Sequence, residues 1–451
     1  MADFTSTIEN TIEFLLDNKK YNSLRDILTS MNPADVAALF DILPKKRLPL
    51  IFRLLPKELA AESFVEMDGD MQEELIRGFS DNELKAVIDE LYLDDAVDLV
   101  EEMPANVVNR ILLQADTETR RLINEMLKYP EDSAGSIMTT EYVDLRPSMT
   151  VAESIKHIRR TGLEKETINV CYVTDDSRKL IGVLSIRDLI VSSDETEIND
   201  IMEQNVISVN TLEDQETVVS MFAKYSFTAL PVVDGEGRLV GIVTVDDAID
   251  VLQEEATEDI EKMAAITPSD KPYLKQSVFD IFKSRIPWLL LLMISATFTG
   301  AIITHFEDSL SAYIILVASI PMLMDTGGNC GSQSSVTVIR GLSLQEITFT
   351  DTVKVMWKEF RISILCGITL AIVNFFKMLL LGQATGLVAM VISLTLVFTV
   401  IMSKMVGCLL PIAAKRIGFD PAVMASPIIT TVVDALSLLI YFEIARAILK
   451  I

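Results

Sequence analysis

The sequence predicts a multidomain membrane protein with an all-α superhelical N-terminal domain, an α/β domain made from a duplicated unit, and an α-helical transmembrane domain with five spans. Three observations predict this: a 12-residue repeat in the first 130 residues, a strand and helix pattern that occurs twice before residue 256, and five apolar stretches after residue 285. The expected divisions are 1–130 for the acidic superhelix, 131–256 for the duplicated unit, 245–284 for a connecting helix and linker, and 285–451 for the membrane domain.

The repeat comes first. Leu-Phe-Asp-Ile-Leu-Pro at 39 recurs as Ile-Phe-Arg-Leu-Leu-Pro at 51, and related hexapeptides begin at 63, 75, 87, 99 and 111. A proline or turn residue closes each unit, which suits helices of about two turns stacked on their neighbours. Such an array is a scaffold rather than a catalytic fold.

In the second region Gly-Val-Leu-Ser-Ile-Arg-Asp-Leu-Ile at 182 is matched by Gly-Ile-Val-Thr-Val-Asp-Asp-Ala-Ile at 241, and Ile137-Met138 by Ile201-Met202. The turns Asp175-Asp176-Ser177 and Asp234-Gly235-Glu236 fall in register. This doubled pattern resembles a tandem CBS pair. The resemblance implies a module that senses adenosine nucleotides or ions, with Ser185, Arg187 and Asp188 as candidate nucleotide ligands, Thr244 and Asp247 in the matching places, and ATP as the candidate nucleotide. The alternative is that Asp188 and Asp247 simply stand near helix starts, where a carboxylate is favoured.

The 451 residues carry a formal net charge of −26. Residues 285–451 hold 11 basic and 9 acidic side chains, so 28 of the chain's 39 basic and 56 of its 65 acidic residues precede them. An acidic surface of this kind repels nucleic acid and attracts hard cations; solubility alone is the plainer reading. The cysteines Cys171, Cys330, Cys366 and Cys408 have no CxxC spacing, which points away from zinc sites and disulfides. Met-Ala-Asp-Phe-Thr-Ser at the start lacks a basic region followed by an apolar run, so the acidic part is expected in the cytoplasm.

The expected spans are 287–305, 309–327, 362–381, 386–413 and 421–445. With the acidic part inside, Lys283, Arg285, Arg340, Lys354, Lys358, Arg361, Lys415 and Arg416 fall on the cytoplasmic side and only Arg446 and Lys450 outside, which places the C-terminus outside. A carboxylate within a span is costly unless it faces water, a partner or an ion. Asp434 is the clearest case, with Thr430 one turn earlier on the same face. If Asp420 opens that helix, 14 residues at about 1.5 Å each set Asp434 about 21 Å deeper, somewhat past the midplane. Lys377 and Lys404 are expected to snorkel to the interfaces. Asp325 is expected near an interface, which leaves Asp434 without the second carboxylate that an intramembrane aspartyl protease needs.

After Pro321 the second span meets Gly327, Gly328 and Gly331, which predict a break in the helix. Non-helical backbone at membrane depth has to line a wet cavity, so Asn329, Gln333 and free carbonyls become candidate oxygens around a hydrated ion. The Gly-Lys-Ser/Thr ending of a phosphate-binding loop is absent.

Together, the acidic helical domain, the CBS-like pair, five spans, Pro-x5-Gly-Gly-Asn-x-Gly-x-Gln from Pro321 and Thr-Thr-x-x-Asp ending at Asp434 resemble the MgtE family of magnesium channels over nearly the whole chain. The resemblance implies a homodimer in the plasma membrane with its pore at the subunit interface, no enzyme activity, and no nucleic-acid or protein substrate. Asp434, the backbone near Thr430, and Asn329 would meet Mg2+ in the pore. A plug helix would match residues 245–259, whose Asp246, Asp247, Asp250, Glu254, Glu255, Glu258 and Asp259 form a ladder of like charges. Mg2+ would join Asp247 and Asp250 to Asp94 and Asp98, and join Glu255, Glu258 or Asp259 to Asp420 at the pore mouth. Glu62, Gly135, Ser136 and Ala223 are further sensor positions by the same resemblance, although Tyr225-Ser226-Phe227 replaces an acidic position of the family pattern. A solvated acidic helix is the alternative for the plug. A transporter of Mn2+ or Co2+, or a coupled carrier in place of a channel, is the alternative for the whole.

Overall fold

The computed structural model describes residues 2–269, 271–306, 313–344 and 346–450. They form two compact units, Met1–Val251 and Leu252–Ile451.

The first unit begins with ten α-helices: α1 Ala2–Asp17, α2 Tyr21–Thr29, α3 Pro33–Ile42, α4 Leu48–Phe52, α5 Lys57–Val65, α6 Gly69–Gly78, α7 Asp81–Ile88, α8 Leu93–Glu102, α9 Ala105–Gln114 and α10 Thr117–Met126. From α5 to α10 each helix starts 12 residues after the previous one. Side-chain caps hold several of these starts: Asp68 accepts from Met71 N, Asp116 accepts from Glu118 N and Thr119 N, and Ser80 forms a capping box with Glu83. The same spacing sets Phe40, Phe52 and Phe64 in one apolar spine, with successive ring centroids 6.2 Å apart edge to face. Arg110 ties two repeats together by donating to the carbonyls of Ile76 and Phe79 at 2.6 Å.

Two three-stranded sheets follow. In the first, β1 (Val143–Leu145) pairs parallel with β2 (Val170–Thr174), which pairs antiparallel with β3 (Leu180–Ser185); β4 (Val209–Asn210), β5 (Ala229–Val233) and β6 (Leu239–Thr244) repeat the arrangement. The helices α11 (Val151–Thr161), α12 (Ile186–Val191), α13 (Ile198–Ile201) and α14 (Gln215–Tyr225) accompany them. The duplicated Ile-Met and Gly motifs now have a shared cause. Any side chain at Gly182 would strike Met202, and one at Gly241 would strike Met138. Helix α15 (Val245–Met263) leaves β6 and runs through the division between the units.

The second unit contains α16 (Val278–His305), α17 (Ile314–Ser343), α18 (Thr352–Leu380), α19 (Gly386–Arg416) and α20 (Ser426–Leu449). Among the described residues, five helices are thus long and apolar enough to cross a membrane. Residues 307–312, where the second span was expected to begin, lie outside the described residues.

The expected break after Pro321 is overturned, because α17 is helical from Ile314 to Ser343. Its glycines serve close packing instead. A β-carbon on Gly327 would come within 2.9 Å of Val433 Cγ1, one on Gly328 within 2.9 Å of Thr430 Cγ2, and one on Gly331 within 2.7 Å of Ile429 Cγ2. Gly407 of α19 lies directly against the Gly331 backbone. Each helical glycine costs about 1 kcal/mol against alanine, a cost offset where small residues let membrane helices approach. Because α17 keeps its helix, the free backbone carbonyls expected around the ion are not available there.

Lys404 is also corrected. It does not reach an interface but is 4 % exposed inside the bundle, where Nζ donates to Ser334 Oγ at 3.3 Å and lies 3.9 Å from Glu359 Oε2. Ser334 Oγ donates in turn to Glu359 at 2.6 Å. The cost of burying an ammonium is met by a carboxylate on another helix. Lys377 is exposed in the last turn of α18, with its Nζ 3.6 Å from Met322 Sδ of α17.

Candidate ion path and carboxylate cluster

The membrane candidates lie on α17 and α20. Asp434 is half-buried on α20, and Asn329 is exposed on α17. Asp325, Asn329 and Gln333 recur every four residues, so they share one face of α17, and all three are exposed. Thr430 packs against Gly328, and its hydroxyl donates to the Pro427 carbonyl at 3.0 Å. The depth expected for Asp434 changes. Asp420 caps a 3-10 turn, Pro421–Met424, and α20 starts only at Ser426, so Asp434 is about 12 Å along it at about 1.5 Å per residue. Asp325 is corrected as well: it is well inside α17.

At the start of this segment Asp420 has a partner that spacing did not reveal. Lys262 Nζ lies 2.7 Å from Asp420 Oδ2 and 2.5 Å from Glu258 Oε1. Burial works against the charged lysine, yet its bonds to Asp420 and Glu258 prevail and hold its pKa above the usual range. Met263 packs beside it with Ile339, Ala422 and Ala425. Glu258 and Asp420 are therefore brought together as expected, but around an ammonium. Glu255 and Asp259 are on the same helix and have partners of their own.

In the first unit α8 and the start of α15 carry a dense group of acids. Asp94, Asp98 and Asp247 stand near one another, and Asp95, Asp246, Glu141 and Glu166 join them. Asp94, Glu141 and Glu166 each offer an oxygen, all within 4.8 Å of one another, an arrangement that could hold a metal ion. Burial, followed by the neighbouring carboxylates, raises the pKa of Asp94 well above its ordinary value, those of Asp95 and Asp98 to about 7 and that of Glu166 to about 8. Burial takes Asp247 to about 6, against the bond that Thr244 Oγ1 donates to it at 2.5 Å. Asp250 is raised by burial and by Asp246. Asp95 adjoins a predicted residue and was findable by spacing; Glu141 and Glu166 come from loops that no local pattern connects to α8.

The other sensor positions are less involved. Glu62 is exposed and touches the group only through its charge on Tyr92. Gly135 N donates to the Thr211 carbonyl at 2.9 Å, and Ser136 Oγ to the Ser133 carbonyl at 2.8 Å, so both serve a turn. Ala223 is exposed on α14.

For the nucleotide candidates, Ser185 and Asp188 form a capping box at the start of α12, with Ser185 Oγ donating to Asp188 at 2.7 Å. Arg187 follows on the same short helix. A cleft of about 250 Å³ is lined by Val170, Val183 and Pro231 of strands β2, β3 and β5 and by Asn205, Phe227 and Thr228 of the loops, but by none of Ser185, Arg187 and Asp188. Ser226 turns the chain with φ of 56°, and Phe227 beyond it stacks on Tyr225. The segment that departs from the family pattern thus supplies an aromatic wall to the cleft.

Parts of the chain match known families. The family model described as MgtE, divalent cation transporter, matches residues 320–444; the MgtE intracellular N domain matches 31–132; CBS domains match 134–194 and 198–254. The magnesium transporter MgtE of Thermus thermophilus is 38 % identical over 95 % of this chain and 95 % of its own, and that of Bacillus subtilis 35 % identical over 97 % and 96 %. Among solved structures, the cytosolic domain of the Mg2+ channel MgtE in complex with ATP is 40 % identical, with a TM-score of 0.52, and covers 54 % of this chain and 99 % of that one.

Proposed function

The chain belongs to the MgtE family of divalent cation transporters, and from that premise we propose that it is a Mg2+ channel, working as a homodimer, that admits Mg2+ across the plasma membrane and closes when internal Mg2+ is high. It is a membrane transporter rather than an enzyme. The observation that carries the reading is Asp434, a carboxylate on a membrane helix beside a face of α17 bearing Asn329 and Gln333. A hydrated Mg2+ would approach Asp434 through its own waters, with Asn329 as a neutral oxygen. The N-terminal domains would be cytoplasmic and the C-terminus outside.

Closure would be a matter of charge. Without a cation, the acids of α8, α15 and the loops carrying Glu141 and Glu166 repel one another. Mg2+ bound among them favours the packed arrangement over a loosened one, which is all that a two-state gate requires. Helix α15 carries Asp247 of that group in its first turn and Lys262, the partner of Asp420, in its last. ATP would enter the cleft lined by Asn205, Phe227 and Thr228. Transport of Mn2+ or Co2+ in addition is the second reading, because oxygen ligands suit several hard ions.

The test is Mg2+ flux into proteoliposomes at several internal Mg2+ concentrations and voltages. Asp434→Ala is expected to abolish flux, and current without a coupling ion identifies a channel. Wild-type flux through Asp434→Ala would overturn the pore assignment.

A further inference from the structure

Asp325 is the charged group on the open face of α17 that the reading above leaves unused. Its height relative to α20 follows from the glycine contacts. Gly331 is opposite Ile429, Gly328 opposite Thr430, and Gly327 between Val433 and Ser437. Tyr441, farther along α20, donates to the Leu316 carbonyl near the start of α17 at 3.0 Å. The two helices are therefore antiparallel, and two residues back from Gly327 the chain is level with Asp434 and the turn after it.

Two further observations bear on this level. Neither Asp325 nor Asp434 has an ion pair among the described residues, and Lys377 on α18 sets its Nζ 3.6 Å from Met322 Sδ instead. Ser437, one turn beyond Asp434 and 3.0 Å from where a Gly327 β-carbon would stand, holds a fully buried hydroxyl with no partner among the described residues. An exposed Asp325 cannot face hydrocarbon, so its side of α17 has to meet water, a cation or a second subunit. The buried Glu359 shows that this chain supplies a lysine where a membrane carboxylate is to be neutralised internally.

We propose that Asp325 is a second carboxylate of the ion path, level with Asp434, and that the pair concentrates a hydrated divalent cation at that point. This rests on the pore reading above and adds to it a residue that determines selectivity. Two carboxylates per subunit double the fixed charge that an entering ion meets. A divalent ion gains twice as much from that increment as a monovalent one, whereas Asn329 and Gln333, farther along the same face, add dipoles only. In a homodimer with its pore on the twofold axis, four carboxylates would surround the ion.

The experiment is Mg2+ and Na+ flux through the full chain in proteoliposomes, over a range of Mg2+ concentrations, for wild type, Asp325→Asn, Asp325→Ser, Asp325→Glu and Asp434→Ala. The two neutral variants are expected to raise half-saturating Mg2+ by about tenfold or more with little change in maximal flux, and to admit relatively more Na+. Asp325→Glu is expected to restore wild-type behaviour. Agreement between the Asn and Ser variants, with thermal unfolding like wild type, separates lost charge from misfolding. Concentration dependence and Na+ exclusion unchanged in both neutral variants, while Asp434→Ala is silent, would overturn this proposal and leave the pore reading standing. Conduction by Asp434→Ala would sink the pore reading itself.

Discussion

The two units treat buried charge in opposite ways. In residues 1–251 acids are gathered against acids: Asp94 meets Asp95, Asp247 and Glu166, and burial adds to the strain of each. In residues 252–451 the buried Glu359 is matched by Lys404 and Ser334, and the partly exposed Asp420 by Lys262. Water can deliver a cation to the first group, so a counter-ion need not be encoded. Hydrocarbon cannot, so the second group carries its own. Among the described residues Asp325 and Asp434, both well inside membrane helices, have no ion pair, and they flank the open face.

The largest test breaks the matched charges. Glu359→Gln or Lys404→Met alone leaves an unpaired buried charge and is expected to cost about 3–5 kcal/mol, whereas the double variant should recover much of the loss. Thermal unfolding of the purified protein checks this, and a double variant no more stable than either single one would show that the pair acts only as packing.

Next in size is the reverse case, in which a cation is added where none is encoded. The acids with folded pKa values raised to between about 6 and 8 ionise first in the unfolded chain, near pH 4. Their contribution is therefore fully present below about pH 4 and is lost as pH rises through about 8. Mg2+ should restore about 2.7 kcal/mol to the first unit at 100 times its dissociation constant and pH 8, but little at pH 5. Asp94→Asn with Asp247→Asn should flatten the pH dependence and remove the Mg2+ response. Thermal melts at two pH values, with and without Mg2+, measure both.

The smallest test concerns packing rather than charge. Gly407→Ala places a methyl group against the Gly331 backbone and is expected to cost about 1–3 kcal/mol by forcing α17 and α19 apart. A Gly407→Ala protein as stable as wild type would mean that the crossing relaxes freely.

Much of this was legible in the residues. The 12-residue step, the doubled Gly-x-[Val/Leu]-[Ser/Thr] segments and the apolar runs follow from local periodicity, which side-chain burial imposes within a few residues. The positions of Asp434, Asp420 and the acids of α15 could be picked out because a charge in an apolar run, or a run of like charges, is conspicuous on its own. The glycines of α17 were misread because their local effect, a weaker helix, runs against their tertiary one, room for Thr430, Val433 and Gly407.

What the sequence determined by itself was the order of elements, the division into an acidic part and an apolar part, and the few residues whose chemistry conflicts with their surroundings. The tertiary structure alone decided the partners: Lys404 with Glu359, Lys262 with Asp420, Glu141 and Glu166 with Asp94, and Asp325 level with Asp434. Periodicity reports which way a side chain faces along its own helix or strand. It carries nothing about which distant charge is opposite, because that depends on how whole helices pack, and electrostatic energy depends on distance in space rather than along the chain.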